Sequence, residues 1–312
     1  MEIGLQMNET DQIEESLAEQ VAASDVTVLI GGETGTGKGR MARRIHAMSP
    51  RASKPFVPVD CAALPDALFE SQLFGYKKGA FTGATSDRMG LIRAAEGGTL
   101  FLDEVGELTL EQQAKLLVFI QERSVLPVGE VERTDCDIRL ITATHRDLPA
   151  MVRCGEFRED LYYRFAVIEM TMPPLRDHLI DLPDILDELV ETKASLLHVE
   201  KKRVTSEYLE ALMSYEWPGN IRELGNIVER SLVLSKGAAL DIRTLPTRIR
   251  QQVRARTSCN GQGLSAVQLQ DALLKHRGNK AATARSLGIS RRHLYRVMKR
   301  HDIDLTRTEP AF

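Results

Sequence analysis

The chain has 312 residues, 43% of them hydrophobic, and a net charge of −3, which is enough apolar content to bury a core in two or three compact units and argues against a disordered chain. Its longest apolar runs, such as Val26-Thr27-Val28-Leu29-Ile30, fall well short of the roughly 20 residues of a membrane-spanning helix, and its acidic, polar start does not read as a secretory leader. A cytoplasmic protein with no membrane partner is expected.

Ile13, Leu17 and Val21 recur at helical spacing and predict an opening helix. Residues 26–30 then read as a buried strand running into the turn Gly32-Glu33-Thr34-Gly35-Thr36-Gly37-Lys38, after which a helix begins. In that context glycines turn backbone N–H groups toward phosphates, the helix N-terminus adds positive potential, and Lys38 supplies charge at the β- and γ-phosphates. Residues 32–39 are therefore expected to hold ATP. The motif's final Ser or Thr is replaced by Gly39, so no hydroxyl is offered to Mg²⁺ there.

Strand signals recur at 56–59, 99–102, 138–143 and 166–170, alternating with helical stretches such as 111–121, and predict a parallel sheet sandwiched by helices. The run 99–102 ends in Asp103-Glu104, at the strand edge where such sheets place their sites. Asp103 suits holding Mg²⁺ through water and Glu104 suits polarising the attacking water; a helix cap or surface pair is the other reading of such a dipeptide. The segment Gly79-Ala80-Phe81-Thr82-Gly83-Ala84 makes poor core. It suits either a surface loop presenting one apolar anchor to a partner or a tight loop whose Phe81 folds back onto its own domain. Arg158 and Arg164, six apart on an acidic helical stretch, suit either intrahelical ion pairs or a guanidinium reaching a neighbour's phosphates.

From residue 182 the strand signals stop, and helical patterns at 184–197, 206–215 and 220–234 predict an all-helical lid, with Pro218-Gly219 breaking one helix and Asn220 capping the next. Residues 237–263 read as a linker. Residues 251–312 carry 12 Lys and Arg against 4 Asp and Glu, a balance of +8 beside −11 for the rest, which predicts an anionic partner. Ala284, Leu287, Ile289, Leu294 and Val297 form a small apolar set around Gly288, and Ser290 caps the next helix, the pattern of a helix-turn-helix for double-stranded DNA. Arg291, Arg292, His293, Tyr295 and Arg296 would line the start of the recognition helix and Lys299 and Arg300 the phosphates; a solvated basic face is the alternative. Cys61, Cys136, Cys154 and Cys259 form no metal or disulfide pattern and are expected to be free, buried thiols.

The stretch from Glu70 through Phe74-Gly75-Tyr76 to Gly79-Ala80-Phe81-Thr82-Gly83-Ala84 resembles the GAFTGA loop region of sigma-54-dependent transcriptional activators. The resemblance implies an AAA+ α/β ATPase with a three-layer parallel sheet and helical lid, followed by a small all-α Fis-type helix-turn-helix domain. Residues 79–84 would contact sigma-54, through Phe81 and Thr82 above all. Residues 155–165 are similar to the arginine-finger segment, with Arg158 and Arg164 acting in trans. Residues 217–224 resemble the sensor II segment, with Arg222 reporting on the γ-phosphate. The implied map is 1–181 ATPase subdomain, 182–236 lid, 237–263 linker and 264–312 DNA-binding domain.

Three residues depart from the family pattern. Gly39 stands for an acidic residue, His145 for the sensor I Asn, and Asp60 for an Asn that holds the catalytic glutamate inactive; an Asp facing Glu104 would repel it unless a proton or cation intervened. The resemblance further implies a hexameric ring at an upstream DNA site, remodelling sigma-54 RNA polymerase from closed to open complex. Because so little chain precedes the first strand, no regulatory domain is expected ahead of the ATPase, and control would come from a regulator protein in trans, from expression level, or from a domain absent from this sequence. Two rivals stand beside this: an ATP-binding but poorly hydrolysing subunit of a mixed ring, and a DNA-binding repressor using the tail alone, which the loop at 79–84 argues against.

Overall fold

The computed structural model describes residues 9–251 and 266–276, together with Thr283 and Leu294. These fall into two units, one made of residues up to 209 with 216–244, the other of 210–215 with residues from 245 onward.

In chain order the first unit begins with α1 (Glu9–Ala22), β1 (Val28–Gly32), α2 (Lys38–Ala47), β2 (Phe56–Asp60), α3 (Asp66–Leu73), the short strands β3 (Gly75–Tyr76) and β4 (Arg88–Met89), α4 (Leu91–Ala94) and β5 (Thr99–Asp103). It continues through α5 (Leu110–Glu122), the short pair β6 (Ser124–Val125) and β7 (Thr134–Asp135), β8 (Arg139–Thr144), α6 (Leu148–Arg153), α7 (Glu159–Phe165) and β9 (Ile168–Met172). The five long strands form one sheet in the order β2-β5-β8-β1-β9, and every pairing in it is parallel.

Alternation along each strand divides the core between two faces. Leu29, Leu100, Leu102 and Leu140 pack with Phe69, Leu73, Leu116, Phe119, Leu161 and Phe165 on one side. Val28, Ile30, Phe101, Ile141 and Met170 pack with Val21, Ala42 and Ile45 on the other. Helices thus cover both faces, and each fully buried leucine of β5 contributes about 1.5–3 kcal/mol. Arg139, itself buried, donates to Val21 O (2.8 Å) and Ala22 O (3.1 Å), so that the first residue of β8 satisfies the last carbonyls of α1.

All five strands lie where the sequence predicts them, though β1 and β9 each run two residues later. Gly31 and Gly32 continue β1 because they pair with Thr171 and Met172 of β9, a tertiary gain that outweighs the poor strand propensity of glycine. The three two-residue strand pairs carry no periodicity and were not predicted.

The lid helices are α8 (Leu182–Leu197), α9 (Ser206–Met213) and α10 (Asn220–Leu234). Leu186, Val190 and Ala194 of α8 and Leu224, Ile227 and Val228 of α10 are buried at helical spacing. Tyr208 of α9 is buried, its hydroxyl 2.9 Å from Ser231 Oγ. The lid is not all-helical, contrary to expectation: β10 (Arg203–Val204) and β11 (Ala239–Leu240) form a short parallel pair. It arises because Thr205 Oγ1 donates to Leu240 O and Arg203 N to Ala238 O, closing the ends of the lid on each other.

In the second unit, α11 (Ala266–Lys275) buries Leu269 and Leu273, and Thr283 and Leu294 are buried. Ala284, Leu287, Ile289 and Val297, read as core of the helix-turn-helix, lie outside the described residues. Of the cysteines, Cys61 and Cys136 are free and buried as expected, and burial above all pushes their thiols up to about 12 and about 11. Cys154 is free but exposed, a correction, because it follows the last residue of α6 at the surface. Cys259 lies outside the described residues. Among the described residues no helix is long and apolar enough to cross a membrane.

Gly98 precedes β5 so closely to β2 that a Cβ would stand 2.1 Å from Pro55 O, the carbonyl that accepts from Thr99 N. Gly98→Ala is therefore expected to part the start of that strand pair and to lower stability by about 1–3 kcal/mol, read as an earlier urea midpoint; an unchanged midpoint would refute this packing.

Candidate active site

Parallel pairing sets the geometry of the site. Because β8 lies between β1 and β5, the segment after β8 emerges between the loop after β1 and the carboxylates at the end of β5. In the first loop, Gly35 and Gly37 hold φ of +84° and +99°. A Cβ on Gly35 would stand 2.5 Å from Gly219 O, so both conformation and close approach require glycine there. Lys38 opens α2 and is 6% exposed. Its Nζ donates to Gly32 O (2.9 Å) and Glu33 O (3.2 Å) and lies 3.7 Å from Glu104 Oε1, so the ammonium curls over its own loop, where it can meet a phosphate. A Cβ on Gly39 would meet only Phe101 Cε1, at 3.6 Å, so a hydroxyl side chain has room there.

Asp103 ends β5, and its Oδ1 accepts from Glu104 N (3.0 Å). Burial, and then the Glu104 charge, raise the Asp103 pKa, so this carboxylate would gain by meeting a cation; the donor chemistry fits magnesium. Glu104 sits at φ +55°, an uncommon conformation for a side-chain-bearing residue. Its Oε2 accepts from His145 N (3.2 Å) and lies 2.7 Å from His145 Nδ1. Burial opposes ionisation of Glu104, but the His145 hydrogen bonds and the Lys38 charge outweigh it and hold the pKa below the usual range.

Asp60 ends β2 beside the last residue of β5. It pairs in register with Asp103, and its Oδ1 accepts from Ala62 N (3.0 Å) to cap the following turn. A short carboxylate at the start of a turn is captured by the nearest backbone donor, while Glu104 meets His145 and Lys38.

Of the two arginines, Arg158 precedes the first turn of α7 and is chelated by Asp160, Nε to Oδ1 at 3.1 Å and Nη2 to Oδ2 at 2.8 Å. The ion-pair reading thus holds for Arg158 within the protomer. Arg164, in the last turn of α7, is exposed.

The loop 79–84 joins β3 to β4, with Gly79 and Gly83 at φ +85° and +106°. Its base is stapled: Lys77 Nζ reaches Asp87 (3.1 Å) and Glu130 (3.4 Å), and Asp87 Oδ1 accepts from Lys78 N. Phe81 rests edge-on against Tyr76, ring centroids 4.9 Å apart, yet remains 43% exposed, so it combines both readings of the segment. Thr82 is exposed beside it, while Ala80 packs toward Gly129 and Ala84 is buried.

The lid reaches the loop after β1 through α10. Asn220 is not the cap of that helix, as expected from its sequence; Gly219 holds that position without a side-chain cap. Fully buried at φ +49°, Asn220 accepts from Leu175 N (2.8 Å) and donates to Glu33 Oε2 (3.2 Å) and Thr34 O (3.1 Å). Tertiary partners outcompete the local cap because every polar atom of a buried amide must be paired. Arg176 grips Glu33 with two hydrogen bonds of 2.6 and 2.9 Å, and with Asn220 it holds the Glu33 carboxyl down at about 2. Arg222 donates its backbone N–H to Gly35 O (3.2 Å), and its side chain is exposed. Sequence reasoning missed Arg176, because an arginine after a strand carries no signal of its partner 143 residues away. The residues assigned to DNA, Arg291, Arg292, His293, Tyr295, Arg296, Lys299 and Arg300, lie outside the described residues.

Residues 5–171 match the family described as the Sigma-54 interaction domain, residues 176–262 the AAA+ ATPase lid domain, and residues 264–301 the bacterial regulatory proteins of the Fis family. The chain is 45% identical over 284 residues to the transcriptional regulatory protein ZraR of Salmonella typhi, covering 90% of this chain and 64% of that one. It is 41% identical over 298 residues to the transcriptional regulatory protein GlrR of Escherichia coli, covering 92% and 65%. The chain thus spans 64–65% of the length of these relatives. Among solved structures it resembles NtrX from Brucella abortus in complex with ADP, with a TM-score of 0.71 at 28% identity over 94% of this chain and 68% of that one. A Saccharomyces cerevisiae Hsp104 structure, at 0.53 and 16% over 73% and 48%, shares the fold.

Since position 39 has room, Gly39→Ser is expected to fold within about 0.5 kcal/mol of the parent and to tighten magnesium-dependent nucleotide binding. Calorimetric titration with and without magnesium checks this; weaker binding in magnesium would contradict it.

Proposed function

Since this chain belongs to the Sigma-54 interaction domain family, we propose that it is an ATP-hydrolysing activator of transcription, a ring-forming AAA+ motor that acts on sigma-54 RNA polymerase from an upstream DNA site. The observation that carries this reading is the pairing of one site with one loop. Lys38, Asp103 and Glu104 converge at the strand edge, and the same sheet unit carries Phe81 and Thr82 on a stapled, exposed loop.

Residues 32–39 would cradle the phosphates with backbone N–H groups and Lys38. Asp103 would hold magnesium, whose charge would offset that of the β- and γ-phosphates. Glu104, released from His145, would orient and polarise the attacking water, and His145 and Arg222 would face the γ-phosphate from either side. Arg158, once freed from Asp160, and Arg164 would reach a neighbouring protomer's nucleotide, so the site is complete only between subunits. Such a dependence accounts for a ring, here a hexamer of this chain. Glu104, ion-paired with Lys38 and held below the usual carboxylate range, favours the hydrolysing reading over that of a passive subunit in a mixed ring.

Residues 79–84 would meet sigma-54, with Phe81 leaving Tyr76 as the apolar anchor. The segment 264–312 would bind double-stranded DNA, with Arg291, Arg292, His293, Tyr295 and Arg296 at base edges and Lys299 and Arg300 on phosphates. A cytoplasmic location belongs to the same reading.

Thr82→Ala separates motor from contact. ATP turnover should stay within about twofold while open-complex formation on a sigma-54 promoter falls at least ~10-fold, as expected for loss of a central contact of about 1.4 kcal/mol or more. Transcription at the parent level would overturn the assignment of the loop.

A further inference from the structure

An acidic side chain sits oddly on an anion-binding loop. Glu33 lies between two glycines of a segment shaped for phosphates, and an uncompensated carboxylate there would repel them. Its charge is met by Arg176, which lies after β9 and takes both carboxylate oxygens, 2.6 and 2.9 Å away, in the fork geometry that only a guanidinium provides. Asn220, at the first residue of α10, adds a third bond to the same carboxylate and a second to the loop through Thr34 O. Its remaining amide oxygen accepts from Leu175 N, the residue next to Arg176. Two residues along α10, Arg222 N donates to Gly35 O. Loop residues 33, 34 and 35 are thus each bonded to the lid helix, and no side chain in the network is left unpaired.

We propose that Glu33, Arg176 and Asn220 form a clamp through which α10 registers the occupant of the phosphate loop, with Arg176 the positioning residue that neutralises Glu33 and locks loop to lid. The clamp rests on the nucleotide-site reading above. A buried amide with three fixed partners has two discrete states, bonded or displaced, so a shift of the loop on binding is passed to α10 as a step and not absorbed by soft contacts. Glu33 and Arg176 are 44% and 43% exposed, so substituting them opens no cavity. Asn220, buried at positive φ, is unsuited to such a test.

The backbone amides of Leu175 and Arg222 report on the clamp directly, because each is bonded within it. Hydrogen exchange of the full chain would be followed with and without saturating magnesium ADP, in the parent, Arg176→Ala and Arg176→Lys, with ADP binding measured beside it. In the parent, ADP should slow exchange at both amides by ~10-fold or more. In Arg176→Ala both amides should exchange faster without ADP, and saturating ADP should slow them less than ~2-fold. Arg176→Lys, which keeps the charge but not the fork, should fall between. Arg176→Ala should also weaken ADP binding by about three- to tenfold through the bare Glu33 charge. Adding Glu33→Gln should recover that affinity without recovering the slowed exchange, a split that a purely structural pair would not give. ADP bound equally and protecting both amides alike in parent and Arg176→Ala overturns the clamp alone. A parent that binds no ADP overturns the nucleotide site and, with it, the clamp's role in reporting occupancy.

Discussion

The nearly buried ammonium of Lys38 and the Glu104 carboxylate that follows β5 lie in one place because β1, β8 and β5 pair in parallel and end together. Each of these charges would cost several kcal/mol if buried alone. The charge of Lys38 is offset by two loop carbonyls and Glu104, and that of Glu104 by His145 and Lys38, so the site is held as a closed set of mutual neutralisations. In the proposed function each partner in that set also has chemistry to perform. That chemistry would require the set to be opened, and would tie turnover to whatever enters the loop after β1 and to what the lid does in response.

The same economy recurs outward from the centre. Arg158 is paired with Asp160 and Phe81 rests on Tyr76, so two groups with proposed outward roles are each occupied within the protomer. Solvent-exposed pairs of this kind are worth little, from about 0 to 1 kcal/mol, and so exchange readily for a partner of better geometry. The glycines at 79 and 83 and the staple from Lys77 to Asp87 and Glu130 give the loop a firm base and a yielding tip.

The sheet was legible in the sequence because strands buried on both faces read as continuous apolar runs, and residues 32–38 and Asp103-Glu104 stood at the ends of two such runs. The turn at Gly79, Phe81 and Gly83 was legible because small residues around one aromatic exclude a core role. What escaped was long-range pairing. Asn220 carried a strong local signal as a cap, and a tertiary amide network overrode it. Arg176, His145 as partner of Glu104, and the β10-β11 pair depend on residues distant in sequence, about which periodicity says nothing.

The central claim, that the set around Lys38 and Glu104 is a hydrolytic site completed by a neighbouring subunit, is tested most directly by steady-state ATP turnover across a series of protein concentrations, with Glu104→Gln and Arg164→Ala beside the parent. Turnover per chain that rises cooperatively with concentration, and falls at least ~100-fold in both variants, is the result this account predicts. A rate per chain independent of concentration, or ATP bound by the parent without turnover, would contradict it.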